Sequence, residues 1–138
     1  MAIKLDMSKA YDGVEWAYLE AMMHKLGFQE SWIFLMMMFV TTVSYSMLIN
    51  GELKGKIVPT RGLWQGVPIS PYIFLLCAKG LLTMLRKDEN GGNLRGISVC
   101  RQAPLVSHLL FADDCIVFCN ASTKEGLRVT KILEDYEK

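Results

Sequence analysis

The spacing of apolar residues predicts short strands that alternate with amphipathic helices. The stretch "AIKLDM" at residues 2–7 is typical of a strand that ends at Asp6. Asp12 and Glu15 then have the spacing of a capping box, and Gly27 suits the position after a helix C-terminus. Apolar residues between them recur at helical spacing: Trp16, Leu19, Met23 and Leu26. We therefore expect a first helix within "DGVEWAYLEAMMHKLGF".

Residues 32–49 are uncharged and approach the length of roughly 20 residues that spans a bilayer. Their period changes halfway, however. "WIFLMMMFV" is typical of a buried helix that follows Ser31, whereas "VSYSMLINGELKGKIV" has a hairpin turn, Asn50-Gly51, between two strands. A helix followed by a hairpin explains the stretch better than one membrane helix. A small membrane-associated protein is the least favoured interpretation, and we expect no membrane partner.

The middle of the chain predicts a loop and a long helix. The loop, "TRGLWQGVP", is interrupted by glycines. In the helix, "SPYIFLLCAKGLLTMLRK", Ser70 is the expected N-cap and Pro71 occupies the first helical position. "DENGGN", residues 88–93, is expected to form a turn.

The last third predicts strands and a closing helix. "LRGISV" is typical of a short strand, and "HLLFADDCIVFC" of two strands joined by a tight turn. Ser122 and Glu125 form a capping box for the closing helix. The apolar stripe of that helix consists of Val129, Ile132, Leu133 and Tyr136. The order of elements predicts an α+β fold, an antiparallel sheet with helices packed on one face.

Composition restricts the possible partners. A chain of 138 residues suits one domain, and a hydrophobic fraction of 51% argues against intrinsic disorder. The formal net charge is +1, so no strong overall field attracts nucleic acid or membrane. A polyanionic partner would have to be bound by local patches or by segments outside this chain.

The cysteines favour a reducing compartment. None of the four belongs to a CxxC pair, and neither His24 nor His108 lies at zinc-like spacing from them. We expect reduced, buried cysteines and structural histidines. The cysteines are Cys77, Cys100, Cys115 and Cys119. The first residues lack the pattern of a signal peptide, which predicts an intracellular protein of nucleus or cytoplasm.

Two adjacent acids, Asp113 and Asp114, lie in the predicted turn of "HLLFADDCIVFC". Neighbours in a flat strand point to opposite faces, but at a bend both carboxylates can lie near one point. A hard cation would offset their repulsion, and Asp6 at the end of the first strand is a candidate third ligand. The alternative is a solvated turn, and the residues alone leave both open.

Three segments, in order, resemble the motifs of a known family. "KLDMSKAYD" is similar to motif A of reverse transcriptases, "RGLWQGVPISPYIFLL" to motif B and "HLLFADD" to motif C. The chain resembles above all the enzymes of LINE-type (non-LTR) retrotransposons, in particular those common in plant genomes. The resemblance covers nearly the whole chain.

The resemblance implies a palm subdomain that carries out two-metal nucleotidyl transfer. It implies that Asp6 and Asp113 are the metal-binding catalytic carboxylates, that Asp114 is the supporting acid, and that two Mg²⁺ ions are bound, with Mn²⁺ as a substitute. In the full-length enzyme the implied partners are an RNA template, a DNA primer and deoxynucleoside triphosphates.

The same resemblance implies nucleotide-binding roles for four further residues. Tyr11 would lie under the incoming sugar, Gln65 and Gly66 along the incoming nucleotide, and Arg61 near template or nucleotide phosphates. The alternatives are core packing for Tyr11, a simple turn at Gly66 and a solvated side chain for Arg61.

Two departures from the family pattern concern function. Trp64 and Val67 stand where the family usually has Arg and Asp, which removes a charged pair from the motif B loop. The fingers motifs and the thumb do not occur in residues 1–138, which predicts a partial reverse transcriptase domain, a palm fragment. Two hypotheses follow: part of a longer polymerase, or a catalytically inactive relic. Under either, we expect no measurable polymerase activity from the isolated chain.

Overall fold

A computed structural model describes residues 1–6, 10–111 and 114–137 of the chain. Its elements, in order, are β1 (Ala2–Asp6), α1 (Ala10–Gly13), α2 (Trp16–Lys25), α3 (Glu30–Thr41), β2 (Tyr45–Ile49), β3 (Glu52–Ile57), α4 (Ser70–Asn90), β4 (His108–Phe111), β5 (Asp114–Phe118) and α5 (Thr123–Tyr136). Helices combined with antiparallel strands confirm the predicted α+β class.

The chain divides into two compact units. The first unit comprises Met1–Ser8 and Ala78–Lys138, and the second comprises Lys9–Cys77. The division falls inside α4, between Cys77 and Ala78, and no linker or change of composition in the sequence indicates it.

The first unit is built on a three-stranded antiparallel sheet of order β1-β5-β4. β5 lies at the centre, where Cys115 is opposite Leu5 of β1 and Leu110 of β4. The first strand therefore pairs beside the β4–β5 hairpin. A metal site that includes both Asp6 and the Asp113-Asp114 dipeptide requires this arrangement.

Helices cover one face of this sheet, as predicted. Alternate residues of β5, Cys115 and Val117, are fully buried because successive side chains of a strand point to opposite faces. The core that they enter contains residues of α4 and α5 as well: Leu81, Leu85, Leu94, Cys115, Val117, Cys119, Val129 and Ile132. On β4, Leu109 and Phe111 are 53% and 84% exposed, so the opposite face is open.

The predicted cap of α5 is present in modified form. The Ser122 side chain accepts a hydrogen bond from the Glu125 backbone N–H at 3.3 Å. The Glu125 carboxylate accepts from the backbone and side-chain N–H groups of Asn120 at 2.9 and 2.8 Å, and from the Arg95 N–H. These bonds, the Asn120 backbone bond above all, lower the pKa of Glu125.

Both ends of α4 differ from the prediction. Ser70 is buried at the start of the helix, but its Oγ has no hydrogen-bond partner among the residues described, so the expected side-chain cap is wrong. The helix also continues to Asn90, so the first half of the turn predicted at residues 88–93 is helical and the chain turns only from residue 91 onward. It can do so because Asp88 is satisfied there: its carboxylate accepts bonds from Arg128 and Asn93.

The capping box predicted at Asp12 and Glu15 is wrong. Asp12 lies inside the separate short helix α1, and α2 begins only at Trp16, with Glu15 as an N-cap whose side chain makes no capping hydrogen bond. Backbone hydrogen bonds from Gly62 and Leu63 to Val14 and Tyr11 keep α1 separate from α2. Gly27 has φ of +83° directly after the helix, as predicted.

The apolar stretch at 32–49 divides into α3 and β2, as predicted. The expectation that this helix is buried is wrong for its outer face, where Phe34 and Leu35 are 68% and 56% exposed. Its inner face is buried through Ile33, Met36 and Val40. Within the described ranges, every helix is too short or too polar to cross a membrane.

The strand predicted at residues 94–99 is reduced to one bridge, between Ile97 and Val106. The backbone passes so closely at Gly96 that a Cβ there would lie 2.5 Å from the Val106 carbonyl carbon and oxygen. Only glycine permits this approach.

We predict that Gly96→Ala lowers the free energy of unfolding by about 1–3 kcal/mol, because an added methyl group must displace backbone. The matched control is Gly126→Ala. Gly126 lies in α5 with nothing within 4 Å of an added Cβ, so alanine should stabilise by about 0.5–1 kcal/mol. Urea denaturation measures both, and equal effects of the same sign would contradict the close approach at Gly96.

A second prediction concerns the buried carboxylate of Asp88. Burial acts to raise its pKa, but hydrogen bonds from Arg128 and Asn93 and the charge of Arg128 outweigh burial, and the pKa is lowered. A lowered pKa contributes stability above the ordinary value near 4, and this contribution is lost as pH falls through the folded value.

Asp88→Asn should therefore reduce the free energy of unfolding at pH 7 by about 1–3 kcal/mol. It should also make the loss of stability between pH 5 and pH 3 smaller than in the unmodified chain. Glu134→Gln, at an exposed position of α5, is the control and should keep the full loss. An undiminished loss in Asp88→Asn would refute the role of this carboxylate.

Candidate active site: an acidic strand pair and a glycine-loop cleft

In the first unit, Asp6 and Asp114 lie directly opposite each other across β1 and β5. Residues opposed in an antiparallel pair have Cβ atoms about 4.5–5.5 Å apart and point to the same face. Asp114 follows the alternation of β5 away from the buried Cys115, so this pair lies on the open face. The predicted ligand Asp113 lies outside the described residues.

One cation accompanies the acidic pair. Lys4 lies two residues before Asp6 on the same face of β1, and its Nζ is 3.2 Å from Asp114 Oδ1. Both side chains are exposed, 61% and 44%, so the ion pair contributes only up to about 1 kcal/mol. Among the described residues, the two carboxylates thus meet one ammonium group, that of Lys4.

The chemistry of these donors fits a hard divalent cation, which prefers carboxylate oxygens. Opposed like charges across two strands destabilise the pairing unless a cation offsets them. Among described residues, however, no group of three His, Cys, Asp or Glu side chains is placed to hold a metal ion. The structure thus brings together two of the three predicted acids.

In the second unit, Tyr11 meets the glycine loop, defined here as residues 58–69 between β3 and α4. The Tyr11 carbonyl oxygen accepts a hydrogen bond from the Leu63 backbone N–H at 2.7 Å. Its half-buried ring packs on Phe74 of α4, with ring centroids 5.2 Å apart. Tyr11, near the end of motif A, is therefore joined to motif B through the backbone.

Two further bonds anchor the glycine loop at Gly62. Its N–H donates to the Val14 carbonyl at 2.8 Å, and its carbonyl accepts from the Trp16 indole Nε1 at 2.9 Å. Gly62 has φ of +96°, and a Cβ there would lie 3.2 Å from the Tyr11 carbonyl oxygen. These contacts explain why α1 stays separate from α2 instead of extending it.

Sequence reasoning overlooked both Gly62 and Trp16 as site residues. The signal for Gly62 was its place in "RGLWQG", where a glycine can permit close backbone approach. Trp16 gave no such signal, because it fits the apolar stripe of α2 equally well.

An open cleft of about 560 Å³ lies beside the loop in the second unit. It is lined by Asp12, Tyr45, Pro59, Arg61, Gly62, Leu63, Trp64 and Gln65. Of the predicted nucleotide-binding residues, Arg61 and Gln65 thus share a cleft, and Gly66 follows them in the loop with φ of +82° and open space around it. Arg61 Nη1 is 3.3 Å from Glu15 Oε1 in an exposed ion pair.

Trp64 and Val67, the residues that depart from the family pattern of motif B, lie in this loop. Trp64 packs against Tyr45 of β2, with ring centroids 5.7 Å apart and planes inclined by 35°. Val67 is half-buried. An aromatic contact therefore stands in the loop where the charged pair of the family pattern would be.

His108 and its neighbour Ser107 lie outside these sites. Ser107 donates to the Glu89 carboxylate at 2.7 Å and contacts His108 Nδ1 at 2.8 Å. Burial and the nearby Arg86 lower the pKa of His108, against the opposing effect of Glu89. This favours a neutral imidazole and agrees with the structural role predicted for it.

All four cysteines are thiols outside any disulfide, and three are buried as predicted, whereas Cys100 is exposed. Burial raises the pKa of Cys77 to about 12 and also raises that of Cys115. These thiols are therefore protonated core residues.

Comparison with known proteins shows the family of this chain. The model of the reverse transcriptase (RNA-dependent DNA polymerase) family matches residues 1–138. The chain belongs to the reverse transcriptase family. Members of this family use divalent metal ions and act on a nucleic acid template with nucleotide substrates.

Individual relatives agree. The chain is 35% identical over 128 residues to a retrovirus-related Pol polyprotein from a type-1 retrotransposable element R2 of Nasonia vitripennis, a match that covers 91% of this chain and 11% of that protein. The corresponding polyprotein of Popillia japonica is 26% identical over 115 residues, 83% of this chain and 18% of that protein. These matches confirm the predicted resemblance to non-LTR retrotransposon reverse transcriptases.

A plant relative matches part of the chain. An uncharacterized mitochondrial protein of Arabidopsis thaliana is 48% identical over 67 residues, which is 49% of this chain and 55% of that protein. The chain thus spans about half the length of this relative and less than a fifth of the R2 polyproteins named above.

We predict that Trp16→Phe lowers the free energy of unfolding by about 1–2 kcal/mol, because the Gly62 carbonyl loses its indole donor. Hydrogen exchange at the Gly62 and Leu63 amides should also become faster. Trp32→Phe is the matched control. Trp32 stacks on Phe28, with centroids 4.6 Å apart, and phenylalanine preserves this stacking. Equal effects of both substitutions would contradict the anchoring role of Trp16.

Proposed function

We propose that the chain is the palm part of an RNA-directed DNA polymerase from a non-LTR retrotransposon. The supporting observation is the opposition of Asp6 and Asp114 on the open face of an antiparallel sheet whose other face is covered by helices. Three motifs of the family occur in order along a chain that its family model matches throughout.

In this proposal, Asp6, Asp113 and Asp114 hold two Mg²⁺ ions, which Mn²⁺ can replace. When bound, the ions neutralise the attacking and leaving oxygens of an in-line displacement at a nucleotide α-phosphate. The carboxylates contribute negative charge on rigid strands, so that their positions are set before substrate binds. Lys4 balances part of that charge through Asp114 when no ion is bound.

The second unit contributes residues for the incoming nucleotide. Tyr11 would contact the sugar, and its backbone bond to Leu63 would fix the position of Tyr11 relative to the glycine loop. Gln65 and Gly66 would lie along the nucleotide, since φ of +82° at Gly66 leaves backbone accessible. Arg61 can exchange its exposed partner Glu15 for a phosphate, because such ion pairs are weak.

The partners proposed for the whole protein are an RNA template, a DNA primer and deoxynucleoside triphosphates. The R2 polyproteins are many times longer than the segment that matches this chain. We therefore propose that the polymerase acts as part of a longer protein, to which residues 1–138 contribute the palm.

The metal site is tested by stability with and without a divalent cation. In EDTA, Asp6→Asn should raise the free energy of unfolding by about 0.2–1 kcal/mol, because it removes a like charge opposite Asp114 and leaves the Lys4 ion pair intact. Addition of Mn²⁺ should stabilise the unmodified chain, and Asp6→Asn and Asp113→Asn should weaken this stabilisation.

Titration with Mn²⁺ followed by electron paramagnetic resonance measures the binding directly. Glu134→Gln removes a carboxylate from the exposed face of α5 and should bind Mn²⁺ as the unmodified chain does. Equal Mn²⁺ affinity in the unmodified chain, Asp6→Asn and Asp113→Asn would refute the proposed site.

Polymerase activity is tested by Mg²⁺-dependent extension of a DNA primer on an RNA template. We expect no extension by the 138-residue chain, in keeping with a palm that works inside a longer protein. Extension that disappears in Asp113→Asn would show a catalytic site in the chain itself and overturn that expectation.

A further inference from the structure

The Tyr45–Trp64 pair is an exposed aromatic surface whose role the proposed chemistry does not explain. Both residues line the 560 Å³ cleft, and they are 43% and 40% exposed. Aromatic rings that only fill a core are more deeply buried, as Phe74 is at 4%. Both side chains are therefore partly accessible to a ligand in the cleft.

The surroundings hold the two rings in place. The same pair lines a second, nearly filled space of about 10 Å³ together with residues of α3, of the segment between α3 and β2, and of the glycine loop: Phe39, Val40, Val43, Pro59, Gly62 and Leu63. The adjacent Leu63 is 5% exposed and bonded through its N–H to Tyr11. Trp64 is thus supported from one side by packing and by an anchored backbone.

The position of Tyr45 also depends on a strand irregularity. The register of β2 against β3 shifts between Tyr45 and Met47, and Gly55 of β3 has φ of +72°. An irregularity of this kind changes the direction of the side chains beside it and is frequent next to binding sites. Here the residue at the shift is the one that meets Trp64.

The charge in the cleft and its aromatic surface suit different parts of a nucleic acid. Among the described lining residues, Arg61 is the cation, and its exposed ion pair with Glu15 can be exchanged for a phosphate. The Tyr45 and Trp64 rings carry no charge with which to bind a phosphate. A nucleobase, in contrast, has a π-face for the rings and a polar edge for Asp12.

We propose that Tyr45 and Trp64 form a stacking platform for an unpaired base of the template RNA. The proposal rests on the proposed polymerase function, since it names the strand that this cleft receives. Stacking of one base on an aromatic ring is tolerant of sequence, as a template requires. The platform would position the template strand and takes no part in the chemical step.

The test is the affinity of the 138-residue chain for a fluorescently labelled, unstructured 10-nucleotide RNA, measured by anisotropy. Trp64→Leu should weaken binding at least about five-fold, because a stacked base is lost, whereas Trp64→Phe keeps a ring and should weaken it less than about three-fold. Tyr45→Leu should act like Trp64→Leu. Tyr72→Leu, at a 69% exposed position of α4, is the matched control and should leave affinity unchanged.

Fluorescence gives an independent readout. RNA should quench tryptophan emission in the unmodified chain, and most of this quenching should be missing in Trp64→Leu, although Trp16 and Trp32 remain. A matched DNA oligonucleotide distinguishes a general single-strand platform from one that requires RNA, and binding of DNA alone would contradict a template-RNA site.

The outcomes separate this proposal from the metal site. Loss of Mn²⁺ binding in Asp6→Asn, together with Trp64-dependent RNA binding by the unmodified chain, supports both proposals. Trp64-dependent RNA binding without a metal site would refute the catalytic proposal alone. Absence of RNA binding, or equal affinity of Trp64→Leu and Trp64→Phe in chains with unchanged circular dichroism spectra, would overturn the platform.

Discussion

The register of β1 against β5 is the constraint on which the account of the active site depends. It sets Asp6 opposite Asp114 and Leu5 opposite Cys115. The two acids therefore lie on the open face of the sheet, and Leu5 and Cys115 lie on the face that packs against the core. A shift by one residue would move Asp6 to the buried face, because strand side chains alternate. Burial of the alternate residues Ile3 and Leu5 against the helices therefore also places the acid on the open face.

In the second unit, the corresponding constraint is a small set of backbone bonds. The Tyr11 and Val14 carbonyls hold Leu63 and Gly62, and Trp16 holds Gly62 from its other side. Polar backbone groups of an irregular loop are satisfied in this way without a strand or helix. The cleft that results is open to a ligand. Two of its lining residues, Gly62 and Leu63, are hydrogen-bonded to Val14 and Tyr11.

The sequence predicted the elements whose signals are periodic or local. The β4–β5 hairpin, the stripe of α5 and the division of residues 32–49 followed from alternation, helical spacing and a turn dipeptide. Two errors arose where a residue far along the chain decided the outcome. Arg128 binds the Asp88 carboxylate, so α4 can include Asp88. Gly62 bonds to Val14 between α1 and α2, so the two helices stay separate.

The candidate site shows the same difference. From the residues alone, the pairing of β1 beside the hairpin was a condition for Asp6 to join the acidic turn, and its register follows from the burial pattern of both strands. The contact between Tyr45 and Trp64 could not be predicted, because it joins β2 to an irregular loop. The exposed outer face of α3 was likewise hidden, since an apolar segment looks the same whether neighbours cover it or not.

The most direct test of the central claim is crystallographic location of a bound cation. Crystals of the chain grown with Mn²⁺ should show an anomalous scattering peak within coordination distance, about 2–2.5 Å, of carboxylate oxygens of Asp6 and of the Asp113-Asp114 turn. A structure in which β1 pairs in another register, or in which Mn²⁺ lies away from these acids, would contradict the account.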